Sequence, residues 1–231
     1  MIRSEIRTEF SQRAPDSPVT TTQMDLWAQR GANNIARILE LFPTSGSISL
    51  TSGTAEYSLS TYLTLFLKLD LVGGVHYYDG SDYTPLKIVT MSWLDLYVPG
   101  WRNDDTGTPK AVYKRGDMLG TYPTSSSDKT NGLLVYYFAM PTQMTTDTSD
   151  SFNGRGDLVD LQEGIVLYMA WKAKQAMGEY QQAEIAKNEF RGFISEASSW
   201  VNKDEENLNE PFRPYHLGTP SSLGDIDSWG I

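Results

Sequence analysis

Cysteine is absent from this 231-residue chain, and histidine occurs only twice, at His76 and His216. The first absence excludes disulfide frameworks, Cys-ligated zinc, iron–sulfur clusters and thiol nucleophiles, so stability has to come from core packing or from assembly. The second leaves little for imidazole chemistry: there is no His-Glu-x-x-His pair, and nothing brings the two histidines together. Positive charge is scarce too. Lys and Arg total 19 against 29 Asp and Glu, a formal net charge of -10. The average surface therefore repels phosphate, and sequence-specific DNA binding loses its electrostatic basis. The longest apolar run, Leu133 to Met140, has eight residues, against about 20 needed to cross a bilayer. The charged start Met-Ile-Arg-Ser-Glu-Ile-Arg lacks the apolar stretch of a secretory leader. No membrane partner is expected.

Recognisable catalytic motifs are missing as well. There is no Gly-rich Lys-Ser/Thr phosphate loop, no Gly-x-Gly-x-x-Gly after a strand and no Gly-x-Ser-x-Gly elbow. Paired carboxylates could serve a glycosidase, and the 6 Trp and 13 Tyr could stack on sugars. Nothing in the sequence selects such a pair, and an acidic excess more often makes a solvated surface. The expectation is no catalytic residue, no cofactor and no metal: the chain is not read as an enzyme.

What is present suits a packed globular protein, with 39% hydrophobic and 21% charged residues. Ile2, Ile6 and Phe10 form one stripe of a short helix. A second helix follows the capping run Thr20-Thr21-Thr22 and carries Met24, Trp27, Gly31, Ile35, Ile38, Leu39 and Phe42 at helical spacing, ending at Pro43 and the Thr44-Ser45-Gly46 cluster. Short β-rich runs then take over. Ile48–Leu50 and Ala55–Leu59 flank Ser52-Gly53 as a hairpin, and Val75–Tyr78 pairs with Tyr83–Val89 across Asp79-Gly80. Met91–Val98 is a helical turn or bent connector, and strands return at Ala111–Lys114, Met118–Tyr122 and Leu133–Met140. A third helix is capped by Asp157, and a fourth, after Gly178, carries Ala183, Phe190, Ile194 and Ala197 on one side.

The fold class expected from this order is α+β: a helical bundle formed by the N- and C-terminal helices (1–45 and 157–202), a central antiparallel β insertion (46–145) of roughly six or seven strands, and an extended C-terminal tail (203–231).

Two short motifs invite a functional reading. Arg155-Gly156-Asp157 is an Arg-Gly-Asp tripeptide, but flanking glycines and a helix start make it a turn and cap rather than an adhesion site. Asp204-Glu205-Glu206, with Glu210, lacks the spacing of an EF-hand loop and reads as a solvated helix end. In the tail, Phe212, Tyr215 and Trp229 are separated by prolines and glycines and cannot form a core among themselves. Full burial of each is worth about 1.5 to 3 kcal/mol, so the tail is expected either to wrap over its own domain or to dock as an extended segment on a partner or a neighbouring copy.

Three stretches together resemble a known family. They are the helix Thr22–Phe42 with Trp27, Arg30, Asn34, Ile35 and Ile38; the junction Pro99-Gly100-Trp101-Arg102-Asn103 with Gly107-Thr108-Pro109 and Tyr122-Pro123; and the paired helices Leu161–Ala173 and Tyr180–Phe190. This pattern is similar to the adaptor proteins between portal and tail in tailed bacteriophages, the head-to-tail connector family. The resemblance implies a structural virion protein assembled in the host cytoplasm into a ring, usually a dodecamer, beneath the portal. Its partners would be other copies of itself, the portal protein and a downstream tail or nozzle protein, with genomic DNA passing through without sequence-specific binding. The helical part would face the channel and its neighbours, the β part would project outward, and the segment Asn207–Ile231 would reach the portal. The alternative from another class is a carbohydrate- or receptor-binding module of a phage tail, which requires exposed aromatics in a row on one strand face.

Overall fold

Six helices and eight strands make up the part of the chain that the computed structural model describes, residues 2–201. In chain order these are α1 (Arg3–Arg13), α2 (Thr21–Leu39), β1 (Pro43–Leu50), β2 (Glu56–Ser58), α3 (Leu59–Tyr62), β3 (Phe66–Leu69), β4 (Val75–Tyr78), β5 (Tyr83–Val89), α4 (Met91–Tyr97), β6 (Ala111–Arg115), β7 (Met118–Tyr122), β8 (Lys129–Ala139), α5 (Gln162–Ala176) and α6 (Tyr180–Val201). Two 3₁₀ turns, Trp101–Asn103 and Gly156–Leu161, complete the path.

The helix α2 begins where its capping chemistry places it. Thr20 Oγ1 accepts from the Gln23 amide at 3.3 Å while the Thr20 amide donates to Gln23 Oε1 at 3.1 Å, a reciprocal capping box. Its buried stripe, Ala28, Gly31, Ala32, Ile35 and Ala36, consists mostly of small residues, which lets α5 approach closely. A β-carbon at Gly31 would lie 3.2 Å from the Tyr168 ring and 3.3 Å from Ile165. Gly178 (φ +77°) turns the chain between α5 and α6. Ile6, Phe10, Ile35, Ile165, Met169 and Phe190 share one apolar core among α1, α2, α5 and α6. A second core joins Ile48, Leu119, Leu133 and Val135 of the strands with Leu59 of α3, and a third packs Leu94 and Trp101 against Tyr113.

The expected α+β architecture does not stand. The fold is a mixed α/β arrangement built on a single eight-stranded, nearly closed, barrel-like sheet, not a helical bundle with a small antiparallel insertion. The strand order is β1-β8-β4-β5-β6-β7-β2, with β3 also on β8. The two ends of that path are consecutive in the chain and held together by the Tyr57 hydroxyl, which accepts from the Thr51 amide at 2.9 Å and donates to the Thr54 carbonyl at 3.0 Å.

Three local expectations fail with it, each for a physical reason. Pro43 to Gly46 does not merely stop α2; it forms the first half of β1, paired with Phe138 to Val135. Proline is tolerated there because it is the first residue of a strand at the end of the path. The runs around Ser52-Gly53 do not pair with each other: Ile48 faces Leu133 on β8, whereas Tyr57 faces Leu119 on β7. And β5 runs parallel to β6, with α4 in the crossover between them, so the strands are not an antiparallel meander. The β4–β5 hairpin across Asp79-Gly80 is present, with Tyr78 opposite Tyr83.

Candidate functional surfaces

The tail residues Phe212, Tyr215 and Trp229, the acidic run 204–206 with Glu210, and His216 all lie outside the described residues. His76 is committed to structure: its Nε2 is 2.9 Å from the Gly73 carbonyl, and its ring meets Tyr136 edge-on. No group of three or more His, Cys, Asp or Glu side chains placed to hold a metal occurs among the described residues. Among them, too, no helix is long and apolar enough to cross a membrane.

The Arg155-Gly156-Asp157 segment is a structural brace. Arg155 Nη1 donates to the Leu41 carbonyl at 2.8 Å, the guanidinium stands over the Phe42 ring, and Asp157 is its ion-pair partner. Asp157 does not cap a helix. Its segment is 3₁₀ from Gly156 to Leu161, α5 starts at Gln162 without a side-chain cap, and the carboxylate is held by Arg155, which lowers its pKa. Arginine at a two-residue spacing outcompeted the cap.

Four side chains tie the N-terminus down. Arg7 reaches Asp25 on α2 at 2.6 Å and Asp147 at 2.7 Å, and Arg3 reaches Asp147 at 3.0 Å and the Met144 carbonyl at 3.1 Å. Arg3 and Arg7 stand four apart on α1, so one helix face presents both guanidiniums to the loop after β8.

Two surfaces of the helical layer differ sharply in charge. A cleft of about 770 Å³ opens between α1, the 3₁₀ turn before α5, and α6. Val159, Phe193 and Trp200 supply its apolar lining, and Glu9, Asp160 and Glu163 its carboxylates. Arg13 is the cation lining it, and it sits between Glu163 and Glu189 at 3.8 and 3.5 Å. Glu9 and Asp160 have no cationic partner among the described residues.

The other surface is basic. Tyr168 on α5 packs against Gly31 of α2 and edge-on against Phe190 of α6, so three helices meet at one ring. Around it stand Arg30, Lys172 and Lys187, one from each helix. Lys172 Nζ lies 3.9 Å from the Trp171 ring centre and 5.6 Å from that of Tyr168. Its pKa is lowered, first by partial burial and then by the charges of Arg30 and Lys187. Lys187 has Glu184 at 3.0 Å, but Arg30 and Lys172 have no carboxylate partner among the described residues. Sequence reading missed this face because its cations come from distant positions. The one local signal was Trp171-Lys172 following Tyr168 by a helical turn.

The family model described as SU10 adaptor protein matches residues 1–215, which takes in the helical layer and the whole sheet. The chain belongs to the SU10 adaptor protein family. It is a phage structural adaptor and a virion component, and it associates with other capsid or tail proteins. The resemblance carried by Trp27, Trp101-Arg102-Asn103 and the paired helices is thereby borne out. Among curated proteins, none matches the adaptor.

Proposed function

We propose that this adaptor is a non-enzymatic ring subunit, a dodecamer by analogy with similar connectors, that joins the portal to the tail and forms part of the DNA channel. The observation that carries the reading is the family match across residues 1–215. The net charge of -10 supports it, since a conduit wall that repels phosphate does not trap the genome. Within the subunit, the helices within residues 1–45 and 157–202 act as the helical domain, 46–145 together with the strand start at Pro43 as the β domain, and 203–231 as the segment that docks on the portal through Phe212, Tyr215 and Trp229. Assembly takes place in the host cytoplasm, and a tail or nozzle protein binds below.

The test mixes the purified adaptor with its portal protein and measures the mass of the complex. A closed multimer on the portal is expected, and a chain that stays monomeric and never binds the portal refutes the reading. Truncation at Lys203 leaves the described helices intact and is expected to abolish portal binding. Unchanged binding removes the docking role of the tail while sparing the ring. The receptor-binding alternative finds little support: among the described residues the exposed tyrosines Tyr62, Tyr83, Tyr97 and Tyr180 stand on α3, β5, α4 and α6, not in a row on one strand.

A further inference from the structure

A ring of identical subunits closes through heterologous contacts, in which one patch of each copy meets a different patch of the next. The helical layer carries two such patches, and they do not overlap. Glu163 and Lys172 are two and a half turns apart on α5, so they project from opposite sides, about 14 Å apart along the axis. On α6, Lys187 and Trp200 are separated by about 20 Å. The acidic cleft thus sits at the α5 N-terminal end and the basic face toward the α5–α6 turn.

The two patches also match in chemistry. The cleft offers two carboxylates that have no cationic partner among the described residues, Glu9 and Asp160, beside Glu163, which shares Arg13 with Glu189, above an apolar lining with Val159 52% exposed. The basic face offers two cations that have no carboxylate partner among the described residues, Arg30 and Lys172, beside Lys187, which is paired with Glu184, and the exposed Tyr180 (73%) follows the same turn. Leaving Arg30 and Lys172 unpaired beside each other costs repulsion in the isolated subunit, and an incoming row of carboxylates relieves it. We infer that the basic face of one copy, Arg30 and Lys172 with Lys187, seats in the Glu9–Asp160–Glu163 cleft of a second copy. This inference rests on the ring reading and names its interface.

The test uses charge reversal in the full-length adaptor assembled on its portal, with the folded state of each variant checked by thermal melting. Arg30→Glu with Lys172→Glu, and separately Glu9→Lys with Asp160→Lys, each place like charges across the contact, and each is expected to lower ring yield by about tenfold or more. The fourfold variant restores opposite charges and is expected to recover most of the wild-type yield. Folded double variants that assemble like wild type, or a folded fourfold variant that does not recover, overturn the inference while leaving the ring intact. A wild-type chain that forms no ring overturns both.

Carbodiimide cross-linking of wild-type assemblies gives a readout independent of any variant. Links from Lys172 or Lys187 of one copy to Glu9, Asp160 or Glu163 of another support the contact. Links from Lys172 to residues 204–206 instead, or links between copies only at other positions, contradict it.

Discussion

The backbone of Gly164 on α5 lies directly beneath the Phe193 ring on α6: a β-carbon there would stand 2.5 Å from the ring edge and 3.1 Å from Ile35. Real contacts are never that short, so the ring has to move. Since Phe193 also lines the acidic cleft, this one approach couples core packing to the proposed interface.

Gly164→Ala is therefore expected to destabilise the fold by about 1 to 3 kcal/mol through overpacking, less up to about 1 kcal/mol regained from helix propensity. Gly192 on α6 is the control, because nothing lies within 4 Å of its would-be β-carbon. Gly192→Ala is expected to stabilise by roughly 0.4 to 1 kcal/mol. Chemical denaturation of the two variants checks both signs. Equal effects would contradict the packing account.

Removing the Thr20 cap is expected to cost about 1 kcal/mol, within a range of 0.5 to 2. Thr20→Ala removes the side-chain half of the box with Gln23, and Thr20→Ser keeps it. Denaturant midpoints should place the serine variant close to wild type.

What was legible in the sequence divides along the same line as these interactions. The cap of α2 and the β4–β5 hairpin depend on residues within a few positions of one another, and both were readable. The pairing of Pro43 with Phe138, or of Lys87 with Ala111 in the parallel pair, depends on partners far away in the chain. A Pro-Thr-Ser-Gly cluster has the same local preferences in a turn as at a strand end, so only the partner strand decides. The surfaces follow the same rule. Arg30, Lys172 and Lys187 gain meaning only once Tyr168 draws three helices together, and the Asp157 cap failed because Arg155 offered its carboxylate a stronger partner.

Acid should loosen the N-terminal helix. Hydrogen bonds from Arg3 and then Arg7 hold the Asp147 carboxyl below its ordinary value of 3.8. A depressed folded-state pKa gives stability that is present above the unfolded-state value and is lost as the pH falls through the folded one. Melting temperature is thus expected to fall below about pH 4 in the wild type, and Asp147→Asn should flatten part of that acid limb. Parallel melting curves for the two proteins between about pH 5 and pH 2 would contradict the assignment.

The Arg-Gly-Asp segment yields an asymmetric prediction. Arg155→Ala loses the bond to the Leu41 carbonyl and the contact with Phe42, whereas Asp157→Ala loses only an exposed ion pair. The arginine variant should cost about 1 to 3 kcal/mol, and the aspartate variant should unfold close to the wild type, since its lost ion pair is solvent-exposed. Thermal unfolding of the pair reads the difference.

Cryo-electron microscopy of the intact virion reads the place of this chain in the particle. A ring of copies of this adaptor between portal and tail, with DNA passing through its centre, is the expected result. A head-to-tail junction that lacks the chain, or holds it as isolated copies outside any ring, would contradict it.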